Sequence, residues 1–212
     1  GLNVAKLKKD WDDPKIKADN PNADLPSDRI IPVNRSDESG TTENFTDYLS
    51  KAAPSVWTFE VADTWPVKGG EAAEGTSGVV EAVSSGSGTI GYADESQAGD
   101  LSTAAIKVGD AFVKPTAEGA TKVIEVSQVQ SGRGDNDMAI DIDRTTTEPG
   151  AYPLTLASYV IACPTYADKN KADLVKGYLT YLLGTDGQAA AAKTAGSAPL
   201  PSKLGGDAVA IA

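Results

Sequence analysis

The chain has 212 residues, of which 40% are hydrophobic and 23% charged; this composition suits one sizeable core or two small lobes and excludes a disordered chain. It has no histidine and one cysteine, Cys163, which excludes catalytic triads that need histidine, zinc sites built on histidine or paired cysteine, and an internal disulfide. Thirty acidic and nineteen basic residues give a net charge of −11, so we expect no nucleic-acid partner and no binding to an anionic membrane surface.

The N-terminal third begins with a segment, residues 3–9, that predicts a short helix or turn. A polar connector follows, and its prolines disfavour helix at the residues before them. These prolines are Pro14, Pro21 and Pro26. The apolar residues 30–33 predict a strand, which Pro32 places at a sheet edge or a strand end because proline has no N–H to donate. After a polar turn, apolar and aromatic side chains at helical spacing predict a helix over residues 41–50.

The central third alternates loops with short elements. Three aromatic residues among small and polar ones predict an aromatic-packed loop or extended segment over residues 52–70. These are Trp57, Phe59 and Trp65. Valines at helical spacing predict a helix over residues 74–84, and residues 89–93 predict a short buried strand. Ile106–Val108 and Ala111–Val113 flank a Gly-Asp pair and predict a hairpin.

The last third has the longest apolar and helical patterns. Residues 115–129 predict a helix, and the long apolar stretch 152–163 predicts a buried strand or a pair of strands. Lys169–Leu183 predicts a helix with an apolar stripe. The stripe consists of Ala172, Val175, Leu179 and Leu182. Asp186 is expected to cap an alanine-rich helix that ends at Ala195. This alternation of strands and helices predicts the α/β class.

The predicted strand, turn and helix bring together groups that suit a small oxyanion. Backbone N–H groups at the start of a helix have no partner within the helix, and the helix dipole adds positive charge there. Gly40 leaves the backbone open to close approach, while Ser39 and Thr41 add hydroxyl donors. Arg35 can offer a planar pair of donors, and Asp37 can hold its guanidinium in place. This set of groups contains neither a nucleophile nor a general base.

The same residues also suit an ordinary helix start. In this interpretation Ser39 is the N-cap, Thr42 is a helix-start residue and Asp37 lies in the turn. Arg35 is then a surface charge. The spacing by itself favours neither interpretation.

Sequence motifs along nearly the whole chain add a family resemblance. Residues 35–42 (RSDESGTT), followed by residues 44–49 (NFTDYL), resemble the signature of PstS-type phosphate-binding proteins, the substrate-binding subunits of the high-affinity phosphate ABC transporter. Further motifs occur in the same order as in that family. They are WDDP at 11–14, SGVV at 77–80, GTIGY at 88–92, GAYPL at 150–154 and APLP at 198–201.

The resemblance implies a two-lobed α/β fold, the type II fold of periplasmic binding proteins. Residues 1–148 are expected to form the second, ligand-gripping lobe, and residues 149–212 the crossover and the C-terminal segment of the first lobe. The resemblance assigns phosphate contacts to four residues and orientation of the arginine to Asp37. The four are Arg35, Ser39, Gly40 and Thr41. It implies no catalytic residue, no metal and no cofactor.

As a function, the resemblance implies a non-enzymatic, extracytoplasmic solute-binding protein that captures inorganic phosphate for an ABC importer, with the membrane permease as partner. The expected location is extracellular, at the cell surface or periplasmic. The opening part of the family's first lobe has no counterpart here, so we expect a fragment or deletion that holds half a binding cleft. A missing N-terminal segment or a second chain would complete that cleft.

Two other function classes stay open. One is a cell-surface interaction or scaffold protein that keeps this fold and no longer serves transport. The other is a phosphatase, which the sequence disfavours because no lysine lies near Ser39 in the chain.

Three remaining features have simpler explanations. The tripeptide RGD at 133–135 matches an integrin-recognition motif, and matches of this length arise by chance. Acidic residues between 135 and 143 suggest calcium, but Ile140 and Thr146 stand where an EF-hand needs glycine and glutamate, so a solvated strand edge explains them. Cys163 is expected to be a buried small hydrophobic residue.

Overall fold

The computed structural model describes residues 10–134 and 136–212, so the helix or turn predicted for residues 3–9 lies outside the described residues. The chain divides into two compact units, of which the first ends at Ser102 and the second extends from Thr103 to Ala212. The lobe boundary expected at residue 148 follows from the family resemblance and stays a prediction. Within the described ranges, no helix combines the length and the apolar character needed to cross a membrane.

A parallel sheet of three strands organises the first unit. Its strands are β1 (Ile31–Arg35), β2 (Glu71–Ala73) and β3 (Thr89–Gly91), in the order β2-β1-β3. The strand that contains Pro32 is therefore central, and the expectation of a sheet edge is wrong, whereas Pro32 does lie next to a strand end. β2 pairs with β1 only from Val33 onward. Pro32 comes before this pairing begins, so the pairing does not need an N–H group from it.

Within the described residues, three α-helices accompany this sheet. They are α1 (Pro14–Asp19), α2 (Gly40–Ala52) and α3 (Gly75–Ser85). α2 follows β1 and α3 connects β2 to β3, so the first unit has the alternating strand and helix order of an α/β fold. α2 and α3 confirm the helices predicted over residues 41–50 and 74–84, with ends that differ by one or two residues.

The proline pattern of the polar connector does not predict α1. Proline restricts the residue before it, and it lacks an N–H that the first turn of a helix does not use. Asp13 is the N-cap of α1, and its carboxylate accepts the Lys15 N–H at 2.9 Å. Pro14 therefore starts a helix instead of preventing one.

The aromatic-packed loop predicted between α2 and β2 is confirmed. Trp57 is 5% exposed, and its ring centroid lies 5.1 Å from that of Phe59 and 5.2 Å from that of Trp65. Thr46 on α2 anchors the loop, since its Oγ1 lies 2.9 Å from the Ala62 carbonyl oxygen and accepts the Ala62 N–H at 3.1 Å.

The two outer strands of the sheet differ from the sequence expectations. β2 has the sequence EAA, which carries no strand pattern, and it forms because β1 supplies its backbone partners. β3 lies within the predicted strand 89–93 but is not buried, since Ile90 is 36% exposed. The expectation of a buried strand is wrong because, among the described strands, β3 has a neighbour on one side only.

In its described part, the second unit combines two antiparallel strand pairs with four helices. Its elements are β4 (Ile106–Val108), β5 (Ala111–Val113), α4 (Ala117–Val126), β6 (Gln128–Val129), β7 (Ile140–Asp141), α5 (Lys169–Leu183), α6 (Thr185–Ala195) and α7 (Ser202–Ile211). β4 and β5 pair with Ile106 opposite Val113, which confirms the predicted hairpin. α5 has the predicted bounds. A small core consists of Val123 on α4 together with Ile142 and Ala151.

Three helices of this unit differ from the predictions. α4 is shorter than residues 115–129, because Thr116 caps it by accepting the Gly119 N–H at 3.0 Å and the chain then enters β6. α6 is capped by Gly184, with no side-chain hydrogen bond, so the expectation that Asp186 caps it is wrong. α7 is not predicted at all, and its two glycines weaken the helical pattern.

Residues 152–163, predicted as a buried strand or pair of strands, contain no strand. Four large apolar side chains here are exposed: Leu156 (49%), Tyr159 (52%), Val160 (55%) and Ile161 (95%). Cys163 is exposed as well, so the expectation of a buried cysteine is wrong. An apolar stretch becomes a buried strand only beside a neighbour that supplies hydrogen bonds, and no strand of the described ranges pairs with this one.

One face of α5 is also apolar and exposed. Leu174, Tyr178 and Tyr181 recur at helical spacing and are 74%, 58% and 55% exposed. The predicted apolar stripe of α5 lies on a different, half-buried side of the helix. Leu174, Tyr178, Tyr181 and the four exposed apolar residues of the 152–163 segment are called the exposed apolar set below.

Candidate functional site

The end of the central strand and the start of α2 meet within one short turn. β1 ends at Arg35 and α2 begins at Gly40, so residues 36–39 connect the two. In an open parallel sheet, ligands bind beyond the carboxyl ends of the strands, where the helix N-termini lie. The residues singled out from the sequence therefore lie at the edge of the sheet where a ligand is expected.

Arg35 and Asp37 form a two-pronged ion pair. Arg35 Nε donates to Asp37 Oδ1 at 2.8 Å, and Nη2 donates to Oδ2 at 2.5 Å. Only 11% of the Arg35 side chain is exposed. Asp37 also accepts the Gly75 N–H at 3.1 Å, which ties the pair to the start of α3. Because two of the three guanidinium nitrogens face Asp37, Nη1 is the nitrogen that has no partner within the described residues.

The pair stabilises both charges. The hydrogen bond from Arg35, followed by the one from the Gly75 N–H, holds the pKa of Asp37 well below its usual range. The hydrogen bond to Asp37 in turn raises the pKa of Arg35. The guanidinium therefore stays charged and fixed in direction, which suits two-pronged recognition of an oxyanion.

The start of α2 combines a satisfied cap with open donors. Ser39 is the N-cap, and its Oγ accepts the Thr41 N–H at 3.1 Å and the Thr42 N–H at 3.4 Å. Its own N–H donates to the Asp63 carbonyl at 2.9 Å, and Ser39 is 8% exposed. The helix-start interpretation of Ser39 therefore agrees with the structure, and among the described residues no hydrogen bond uses its hydroxyl hydrogen.

Gly40 and Thr41 supply the open donors of this turn. Within the described part of the chain, no hydrogen bond uses the Gly40 N–H or the Thr41 hydroxyl. A Cβ at position 40 would meet no atom within 4 Å, and Gly40 does not have a positive φ. The fold thus gives no reason for glycine at this position.

Two residues that the sequence reasoning did not assign to the site lie against it. The Tyr92 hydroxyl oxygen accepts the Arg35 N–H at 3.2 Å and lies 2.8 Å from Thr42 Oγ1. Thr42 is completely buried. The signal that could have found Tyr92 is its position directly after β3, since the ends of neighbouring parallel strands meet at one edge of the sheet.

The other sequence features do not form a second site. Arg133 of the RGD tripeptide pairs with Asp137 at 2.7 Å, and Asp135 lies outside the described residues. In the ranges that the structure covers, no three His, Cys, Asp or Glu side chains come together in a way that could hold a metal ion. Trp57 and Trp65 pack against each other within the loop.

Comparison with known proteins gives the family. The chain matches the family model described as a PBP superfamily domain over residues 3–186. It is 35% identical over 184 residues to phosphate-binding protein PstS 3 of Mycobacterium leprae, a match that covers 82% of this chain and 48% of that protein. It is also 34% identical over 200 residues to phosphate-binding protein PstS 2 of Mycobacterium tuberculosis, covering 92% of this chain and 53% of that protein. The chain thus spans about half the length of the curated relatives it matches.

Solved structures agree with this result. A high-affinity periplasmic phosphate-binding protein with bound phosphate superposes with a TM-score of 0.66 and 25% identity, covering 91% of this chain and 60% of that one. The crystal structure of a DING protein gives a TM-score of 0.63 over 99% of this chain and 64% of that one; at 21% identity it supports the fold alone. These matches confirm the expected α/β fold of the periplasmic-binding-protein type. With a family model that matches most of its length and PstS proteins among its relatives, the chain belongs to the PBP superfamily and is a homologue of the PstS-type phosphate-binding proteins, as its motifs predicted.

Proposed function

We propose that Arg35 and the start of α2 form one side of a site for inorganic phosphate. The observation that carries the proposal is the fixed guanidinium of Arg35 at the end of β1, next to a helix start whose Gly40 N–H and Thr41 hydroxyl have no partner in the described residues. Ser39 would add its hydroxyl hydrogen, and Asp37 would hold the arginine. Such converging donors suit a tetrahedral oxyanion with several acceptor oxygens.

The negative charge of the chain does not oppose this assignment. The net charge is −11, but exposed charges are screened over about 8–10 Å at physiological salt. Donors in the site act at hydrogen-bond distance, where geometry dominates. Asp37 cancels part of the Arg35 charge, so the binding energy should come mainly from directed hydrogen bonds and the dipole of α2.

At the level of the cell, we infer a solute-binding subunit of an ABC importer for phosphate. Two relatives carry the name phosphate-binding protein PstS, and a structural neighbour is described as periplasmic. The inferred partner is a membrane permease, and the inferred location is outside the cytoplasm. The lobe assignment, with residues 1–148 gripping the ligand, belongs to the same proposal.

We also infer that the site needs a second side. The relatives have about twice the length of the matched region, and a binding cleft closes around a ligand from two lobes. A further polypeptide segment or a second chain would supply that side. The residues described above would then bind phosphate weakly by themselves and tightly in the completed cleft.

Arg35→Ala tests the site directly. Backbone amide resonances of Gly40 and Thr41 should shift when millimolar inorganic phosphate is added to the wild-type chain, and their titration gives the Kd. A charge-assisted hydrogen bond contributes about 1.5–3 kcal/mol, so loss of Arg35 should weaken phosphate binding about ten- to hundredfold.

Arg133→Ala is the matched control. Arg133 also pairs with a nearby aspartate, with 2.7 Å between Arg133 Nε and Asp137 Oδ2, but it belongs to the second unit. It should leave the Kd unchanged. Equal Kd values for wild type and Arg35→Ala would overturn the site assignment.

The exposed apolar set favours a second candidate function, an interaction protein with this fold and no role in transport. Single exposed apolar residues are common on soluble proteins, but side chains such as Ile161 (95%) and Leu174 (74%) are unusually open. Binding of a cell-envelope protein, with no rise in Tm on addition of phosphate, would select this candidate over the first.

A further inference from the structure

We propose that Tyr92 is a positioning residue for the oxyanion site: its hydroxyl group holds the Arg35 end of β1 against the first turn of α2 and thereby sets the affinity for phosphate. The inference rests on the proposed function. Tyr92 belongs to neither the predicted nor the motif-assigned phosphate contacts, and its role follows from its hydrogen bonds and ring contacts.

On one side, the Tyr92 hydroxyl continues the hydrogen-bond ladder of the sheet. The Ile31 N–H donates to the Gly88 carbonyl at 2.9 Å, on the β3 side of β1. Alternate residues of a strand donate to the same side, so the N–H groups of Val33 and Arg35 also face β3. The pairing of β1 with β3 ends at Val33. Beyond it, the Tyr92 phenol oxygen takes the place of a backbone carbonyl and accepts the Arg35 N–H at 3.2 Å.

The opposite side of β1 is held as well. There the Ser36 N–H donates to the Ala73 carbonyl at 3.0 Å, next to the last pair between β1 and β2. The Arg35 backbone is therefore held from both neighbouring strands. Of these two hydrogen bonds, the one to Tyr92 is accepted by a side chain and the other by a backbone carbonyl.

Through its other contact, the same hydroxyl reaches α2. Its oxygen lies 2.8 Å from Thr42 Oγ1, and Thr42 is completely buried. Thr42 lies in the first turn of α2, directly after the open donors of Gly40 and Thr41. One phenol group therefore joins the backbone of the arginine to the helix turn that carries the other donors.

Ring stacking fixes where this phenol group lies. The Tyr92 ring centroid is 4.5 Å from that of Phe45 and 5.5 Å from that of Trp65. Phe45 belongs to α2, and Trp65 belongs to the loop that Thr46 anchors on α2. A side chain packed in this way loses little further freedom when its hydroxyl bonds are made, so it can hold two elements in register.

Without this link, the distance between the Arg35 guanidinium and the donors at the start of α2 should vary more. A ligand bound by several directed hydrogen bonds is sensitive to displacements of about 1 Å, because each bond weakens when its partners move apart. Tyr92→Phe keeps the ring and its stacking and removes only the hydroxyl group. It leaves the Arg35 N–H and the buried Thr42 hydroxyl without that partner.

The test is a titration of Tyr92→Phe with inorganic phosphate, followed by the amide resonances of Gly40 and Thr41. We expect phosphate affinity to fall about tenfold, because displaced donors make weaker hydrogen bonds to the ligand. Thr42→Val should give a similar loss, and the double variant should be no weaker than the weaker single variant, since both changes break one link. Thr42→Ser keeps the hydroxyl and should retain wild-type affinity.

Tyr159→Phe is the matched control, because the Tyr159 hydroxyl also accepts a backbone N–H, that of Ile140 at 2.9 Å, in the second unit. It should leave phosphate affinity unchanged. If the wild type binds phosphate and Tyr92→Phe binds it equally well, the positioning role is refuted.

A second measurement needs no phosphate and separates the two proposals. In Tyr92→Phe, amide hydrogen exchange at Arg35 should be at least about tenfold faster than in wild type, and the Gly40 and Thr41 amide resonances should move. If the wild type fails to bind phosphate while these changes occur, the proposed function falls and the link between β1 and α2 stands. Unchanged exchange and resonances would refute the link itself.

Discussion

At the residue scale, some residues at the start of α2 have a role in stabilising the fold and others do not. Ser39 is used by the fold, because its Oγ caps the helix. Gly40 is not, since a Cβ there would meet nothing within 4 Å and its backbone needs no positive φ. Glycine without a folding reason costs helix stability, and the proposed function supplies a reason for it, namely space for the ligand.

Gly40→Ala is therefore expected to separate stability from binding. The free energy of unfolding should stay the same or rise by up to about 1 kcal/mol, because alanine loses less conformational freedom on folding. Phosphate affinity should fall, since the added methyl group occupies the approach to the Gly40 N–H. Chemical denaturation and the phosphate titration measure the two quantities.

Gly177→Ala provides the comparison for Gly40→Ala. Gly177 lies within α5, and a Cβ there also meets nothing within 4 Å. This substitution should stabilise the chain without any change in phosphate affinity. Phosphate binding by Gly40→Ala at wild-type strength would remove the functional reason for this glycine.

At the element scale, Ser39 at the start of α2 has two roles, capping the helix and donating its hydroxyl hydrogen to the proposed ligand. A substitution that keeps one role and removes the other can separate them. Ser39 accepts the N–H groups of Thr41 and Thr42, and the proposed function also needs its hydroxyl hydrogen. Aspartate is as good an N-cap as serine, but it has no hydrogen to donate and adds a negative charge. The two roles can therefore be tested by one pair of variants.

Ser39→Ala should lower the free energy of unfolding by about 0.5–2 kcal/mol and also weaken phosphate binding. Ser39→Asp should restore the stability while phosphate binding is lost. Thr116→Ala, which removes the corresponding cap of α4, should reduce stability without an effect on phosphate affinity. A Ser39→Asp chain that binds phosphate like wild type would show that the residue serves the helix alone.

At the scale of the whole molecule, the main feature is apolar surface without a cover. The exposed apolar set includes Ile161 at 95% and Leu174 at 74% exposure, and the chain spans about half the length of its relatives. Apolar side chains left in water favour association with other apolar surface. These are the residues at which we expect a further polypeptide to bind.

A double substitution, Ile161→Asp with Leu174→Asp, should reduce the binding of an apolar fluorescent dye by a large fraction. The Tm should change little, because both side chains are mostly in contact with water already. Thr180→Asp adds charge on α5 without removing a large apolar group, and it should leave dye binding close to the wild-type value. Unchanged dye fluorescence in the double variant would mean that these residues are covered in solution.

Prediction from the sequence succeeded where the decisive contacts are local. The helix at Lys169–Leu183, the hairpin of β4 and β5, and the close spacing of Arg35, Asp37 and Ser39 depend on residues a few positions apart. The expected buried strand at 152–163 failed for the opposite reason, because a strand needs partners that no nearby residue can supply.

The sequence by itself thus determined the family, the α/β class and the short segment from Arg35 to Thr41, since neighbouring residues and their order carry that information. Only the tertiary structure decided that β1 is the central strand, that Gly75 supports Asp37 from 38 positions away, and that Tyr92 reaches Arg35 across 57 positions. It also decided which apolar residues remain in water. The physical reason is that burial and backbone hydrogen bonds between strands depend on partners distant in the chain, which periodicity and composition do not specify.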